Sequence, residues 1–158
     1  MRIQLADALL EVVYSQEDNL ENWCADTQNL NYKIYDYNNS SLCTKITVAG
    51  ISVLELGDNF CSQFLIRPYY NIETLATDIL KIGHHYYNPE SDAFYQALYE
   101  TGKVKYALVN HWTNPVGNTG VGVVPLFGNN FIRGAEDKTF EFYASEDGIT
   151  MNVITHTP

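Results

Sequence analysis

The apolar positions of IQLADALLEVVYSQ place Leu5, Leu9, Val12 and Val13 at helical spacing. This spacing predicts an N-terminal helix, although LLEVVY also satisfies the pattern of a buried strand. NLENWCADTQNL continues with Leu20, Trp23 and Cys24 on one side, as a second helical stretch. The rhythm then changes. In NYKIYDYNN, Tyr32, Ile34 and Asp36 face one way and Lys33, Tyr35 and Tyr37 the other. That is the period of a strand, and the polar run NNSS ends it. CTKITVAGISVLEL is rich in β-branched residues, with Gly50 as a bulge or bend. A turn follows at 57–59, then FCSQFLIRP as a further strand closed by Pro68. Residues 32–67 therefore predict an antiparallel meander of three or four strands.

At Asn71 the period becomes helical again. Ile72, Leu75, Ala76, Ile79 and Leu80 form one stripe, with Asn71 as N-cap and Gly83 past the C-terminus. NPESDAFYQALYETG predicts a second helix, with Asn88 as cap, Pro89 in the first turn and Gly102 at the end. HHYY then reads as the connector between two helices. KVKYALVNHW resumes strand alternation. The Gly-, Asn- and Pro-rich passage 110–134 reads as loops and short extended pieces, and a loop of that length commonly binds something. The chain closes with two strands joined by SEDG, a hairpin by its turn chemistry.

The fold class expected from this pattern is α+β, one domain over 1–158. It has an antiparallel sheet (meander plus C-terminal hairpin), an N-terminal helix, and two consecutive helices packed on one face. Antiparallel sheets can keep one face wet. On such a face stand Tyr35, Tyr37, Tyr69 and Tyr70, and tyrosine is enriched in protein interfaces. Trp112, Asn129 and Asn130, in or beside the 110–134 passage, complete the candidate contact set.

Charge narrows the partners. Nineteen acidic against nine basic residues give a net charge of −10. Such a chain has little with which to neutralise phosphates, so direct nucleic-acid binding is disfavoured, as is an anionic membrane surface. A protein partner or self-association fits better. Were the partner a nucleic-acid enzyme, the acidic surface would imitate phosphates and the complex would weaken steeply with salt. The three cysteines, Cys24, Cys43 and Cys61, form no CxxC pair and suit a reducing, intracellular compartment or a virion. The N-terminus lacks the basic and apolar regions of a signal peptide, and no apolar run reaches membrane-span length.

Candidate chemistry is thin. Adjacent His84 and His85 point apart on any regular element, so they do not readily share a metal, and no metal or cofactor site is expected. GNTGVG at 117–122 lacks the GK[ST] of a phosphate loop. The pairs Glu55/Asp58, Glu136/Asp137 and Glu146/Asp147 flank turns rather than a cleft. A thiol hydrolase would use Cys24 as nucleophile and His111 as base, but Cys24 follows Trp23 in a stretch that reads as core. The sequence thus points to a non-catalytic protein–protein interaction module, as a small viral or phage structural component or an acidic inhibitor of a host protein. The alternative is a small hydrolase using Cys24 with His111, or a site on the 110–134 loop.

Overall fold

A computed structural model describes residues 1–14, 41–59, 71–86, 92–110, 123–134 and 138–156. In chain order these form β1 (Arg2–Leu5), β2 (Ala8–Tyr14), β3 (Cys43–Val48), β4 (Ile51–Glu55), α1 (Ile72–Leu75), β5 (Ile79–Lys81), α2 (Asp92–Glu100), β6 (Tyr106–Val109), α3 (Val123–Phe127), β7 (Phe131–Arg133), β8 (Lys138–Ser145) and β9 (Gly148–Thr155). The described fold is mostly β. Strands β1 to β7 make one sheet whose spatial order equals their chain order, and β8–β9 form a separate hairpin. β1 through β4 are antiparallel, whereas β4 through β7 are parallel.

Three expectations are overturned. There is no N-terminal helix: residues 2–14 form the hairpin β1–β2. The apolar side chains of β2 alternate onto both faces, Leu9 and Val13 on one and Ala8, Leu10 and Val12 on the other, and a strand apolar on both faces imitates helical spacing. Second, the sheet is mixed, not wholly antiparallel. Third, the helix expected from Asn71 to Gly83 ends after one turn. Asn71 does cap it, with Oδ1 accepting from the Glu73 N–H at 2.9 Å. Ala76 is already extended, Thr77 Oγ1 donates to Ile79 O, and Ile79–Lys81 is a strand. A short apolar run buried on both faces suits an inner parallel strand as well as a helix. Gly83 accordingly opens a 3₁₀ turn, Gly83–Tyr86, that leaves a strand.

Other elements follow the pattern. The second helix is present as Asp92–Glu100, and Gly102 leaves it with φ of 70°. The C-terminal hairpin turns at Glu146-Asp147. Gly50 closes a two-residue turn with Ala49, both at positive φ, and this geometry matches the twist of the strands it joins. The passage 110–134 contains α3, a 3₁₀ turn (Gly128–Asn130) and β7 rather than only loop. The strands expected at 32–37 and 60–67, and the helical stretch at 19–30, lie outside the described residues.

Topology decides where the helices go. Each crossover from β4 to β7 advances one strand in the same direction. Right-handed crossovers then put the described connecting helices on the same face. One cluster accordingly joins Leu54, Leu80, Ala107 and Val109 of the strands with Leu75 and Ala76 at α1, Phe94, Tyr95 and Leu98 of α2, and Phe127 of α3. The expected pair of packed helices is thus reduced to α2 and the single turn α1.

Polar groups stitch the parallel strands at their starts. Ser52 donates from its N–H (2.8 Å) and Oγ (2.6 Å) to Asp78 Oδ2, and the Asp78 N–H returns a bond to Ser52 Oγ at 3.1 Å. The Asp78 carbonyl accepts from the N–H groups of Lys105 and Tyr106. One residue thereby ties β4, β5 and β6. Lys45 reaches from β3 to the end of α1, where its Nζ donates to Thr74 O (2.9 Å) and Ala76 O (3.4 Å). A cation there complements the helix dipole. Burial, then the nearby Lys103, pushes the Lys45 ammonium below its ordinary pKa.

Candidate functional site

The sheet face away from the helices divides into two unlike halves. Over the parallel strands it is partly covered. Tyr106 packs edge-on against Phe142 of β8, with ring centroids 5.2 Å apart, and its hydroxyl donates to Ile149 O of β9 at 3.3 Å. Register places Phe140 and Phe142 beside Val153 and Met151 on the apolar side of this hairpin. Over the antiparallel strands the same face is apolar except for Thr44 and Glu55 at one end, and no described element covers it. Register brings Ile3 beside Leu10 and Ile46, and Leu5 beside Ala8 and Val48, with Val53 and Ile51 completing the rows on β4. Ile3, Leu5, Ile46 and Val48 are exposed by 36–60%.

The polarity of the sheet inverts in this half. On the helix side β1 to β3 carry Arg2, Gln4, Glu11, Lys45 and Thr47. An ion pair joins Arg2 Nε to Glu11 Oε1 at 2.6 Å there. The outer face of β1 to β3, by contrast, carries no ionisable side chain among the described residues. Single exposed apolar residues are ordinary, but a contiguous patch on a regular sheet marks a contact surface.

A second feature lies at the C-terminal ends of the parallel strands, where open α/β sheets commonly bind ligands. Gly57, after β4, has φ of 56° and accepts at its carbonyl from the His84 N–H (3.0 Å) and from Lys81 Nζ (3.3 Å). A Cβ there would stand 2.9 Å from Ser41 Cβ, so the position requires glycine. Lys81 also pairs with Glu55 Oε1 at 3.3 Å. His84 and His85 both sit in the left-handed region, at φ 45° and 51°. Such residues cost on the order of 1–2 kcal/mol each. The buried Tyr95 hydroxyl accepts from the Gly83 N–H at 3.1 Å and helps hold the turn.

His85 joins three strand ends. Its Nδ1 lies 3.0 Å from Asn110 Oδ1 and its Nε2 lies 3.6 Å from Asp58 Oδ1. Both ring nitrogens therefore face oxygen acceptors, which suits a strut more than a base that must present one nitrogen to a substrate. Burial lowers the His84 pKa, Asp58 opposes that, and His85 adds to it. The sign is definite. A base with a lowered folded-state pKa binds fewer protons folded than unfolded, so stability falls as the pH drops through the range below 6.5. Asn tolerates the left-handed backbone and does not titrate. His84→Asn is expected to flatten the acid limb of a melting-temperature profile between about pH 7 and 5. An unchanged profile would assign that limb to other groups.

The residues singled out from the sequence fall as follows. Tyr35, Tyr37, Tyr69, Tyr70, Trp112, Cys24 and His111 lie outside the described residues. Asn129 and Asn130 sit in the turn before β7, both exposed. The bare face was not read from the sequence. The signal was present in CTKITV, where Ile46 and Val48 alternate with Lys45 and Thr47. Alternation alone does not say which set points inward.

Among the described residues no group of three His, Cys, Asp or Glu side chains is arranged to hold a metal ion, and no helix is long and apolar enough to cross a membrane. No protein-family model matches the chain, and no curated protein matches it.

Proposed function

We propose that this protein is a non-catalytic protein–protein interaction module whose contact surface is the apolar outer face of β1 to β4. The observation that carries this reading is the polarity inversion. Strands β1 to β3 turn their charged side chains toward the helix side and most of their aliphatic ones, Leu9 and Val13 excepted, toward the outer face. Apolar surface removed from water contributes roughly 25 cal/mol per Å², so leaving such a face uncovered forgoes stabilisation that a partner would supply. The acidic composition then serves solubility, and the strand-end cluster around His85 serves to brace the loops.

The reading separates from phosphate mimicry by its salt response. Binding through a face whose one described ionisable group, Glu55, is paired with Lys81 should survive a rise from low salt to about 0.5 M, because screening acts on charges alone. Binding through mimicry should collapse over the same range. The experiment is capture by immobilised wild-type chain and by Ile46→Asp, at both salt levels. Complexes formed by the wild type at both levels and lost in Ile46→Asp are expected. Complexes that dissolve with salt, or that Ile46→Asp retains, would sink the reading.

A further inference from the structure

Resting on that reading, we infer that the occupant of the bare β1–β4 face is a second copy of this chain, packed face to face across a two-fold axis. Charge makes the case. Each copy carries a net charge of −10, so any contact between copies must keep like charges apart. The outer face of β1 to β3 meets that requirement, because its described positions hold no ionisable group, and Glu55 at the end of the β4 row is paired with Lys81. A foreign partner of so acidic a chain would ordinarily be recruited through carboxylates, and those strands turn theirs away, as Glu11 does with its Arg2 partner. The shape agrees as well. Sheets pack aligned at about −30° and about 10 Å apart, and a two-fold axis makes one flat apolar face complementary to itself.

Size sets the expected strength. The rows of Ile3, Leu5, Ile46 and Val48 with their β2 and β4 neighbours are fewer than the roughly 20–30 residues per side of a standard interface. The dimer is therefore weak and concentration-dependent. Salt tightens it, since screening relieves the repulsion between the acidic remainders of the two copies.

The test is sedimentation equilibrium of the full chain from about 1 to 200 μM, at low and high salt. The expected result is a weight-average mass that climbs toward twice the single-chain value, reaching it at lower concentration in high salt. Val48→Asp stays at single-chain mass throughout, and Ile3→Asp does the same from the outermost strand. Both positions are exposed, and cooperative melting equal to wild type at a concentration where the wild type is single-chain establishes that the variants fold. A wild type that remains single-chain at the highest concentration overturns the inference. So does a dimer that persists in both variants, or one that salt dissolves. If the wild type stays single while Ile46→Asp still abolishes salt-resistant capture of a foreign protein, the dimer falls and the interaction-module reading stands.

Discussion

Phe94→Ala is expected to lower the free energy of unfolding by about 3–5 kcal/mol, the range for truncating a buried phenylalanine. The side chain is fully buried, and its ring lies 5.7 Å from that of Tyr95 at a tilted angle. It belongs to the cluster that seats α2 on the sheet, between residues of α1 and α3. The surrounding atoms come from several elements, so no single one can collapse into the void. The loss should appear in urea unfolding as a lower midpoint with an unchanged slope. A loss under about 1 kcal/mol would mean that α2 is not the lid of this core.

Asp78→Ala is expected to cost about 3 kcal/mol, because a carboxylate that accepts from two donors is lost and the buried Ser52 N–H and hydroxyl are stranded. Asp78→Asn keeps an acceptor at the same place and should recover about half of the loss. The double variant Ser52→Ala with Asp78→Ala tests the coupling. It should cost less than the sum of the single variants, since Ser52 without its hydroxyl has one donor fewer to strand. Additive losses would show that the two residues do not act together. The asymmetry between the ends of β4, β5 and β6 is instructive. Asp78 secures their starts with short, part-buried bonds, whereas Lys81, Asp58 and His85 brace their ends with ion pairs of 3.3 and 3.6 Å.

How much of this was legible in the sequence depends on how many faces each segment buries. KTFEFYASEDGITMNVIT reads correctly as a hairpin because one side packs and the other stays polar, with a turn between. DAFYQALYE reads correctly as a helix because Phe94, Tyr95 and Leu98 make one stripe. ALLEVVY and ILK do not, because apolar residues on both faces erase the period of two. The break at Ala76 had no local signature either. Beyond it Asp78 is held in place by bonding Ser52, a residue far away in the chain. The bare face was illegible for a related reason. Ile46 and Val48 look like inward positions until the register shows Lys45 on the side of α1.

The switch of strand direction at β4 also sets an order of events during folding. β3 and β4 are joined by the two residues Ala49-Gly50, so their pairing closes a minimal loop on the microsecond scale of hairpins. The partner on the other side of β4 must return through 56–78, and each later strand through a crossover of its own. Such non-local pairing is slow. The β3–β4 turn is thus the cheapest contact of the sheet to close, and the parallel strands on the far side of β4 wait on the slower crossovers.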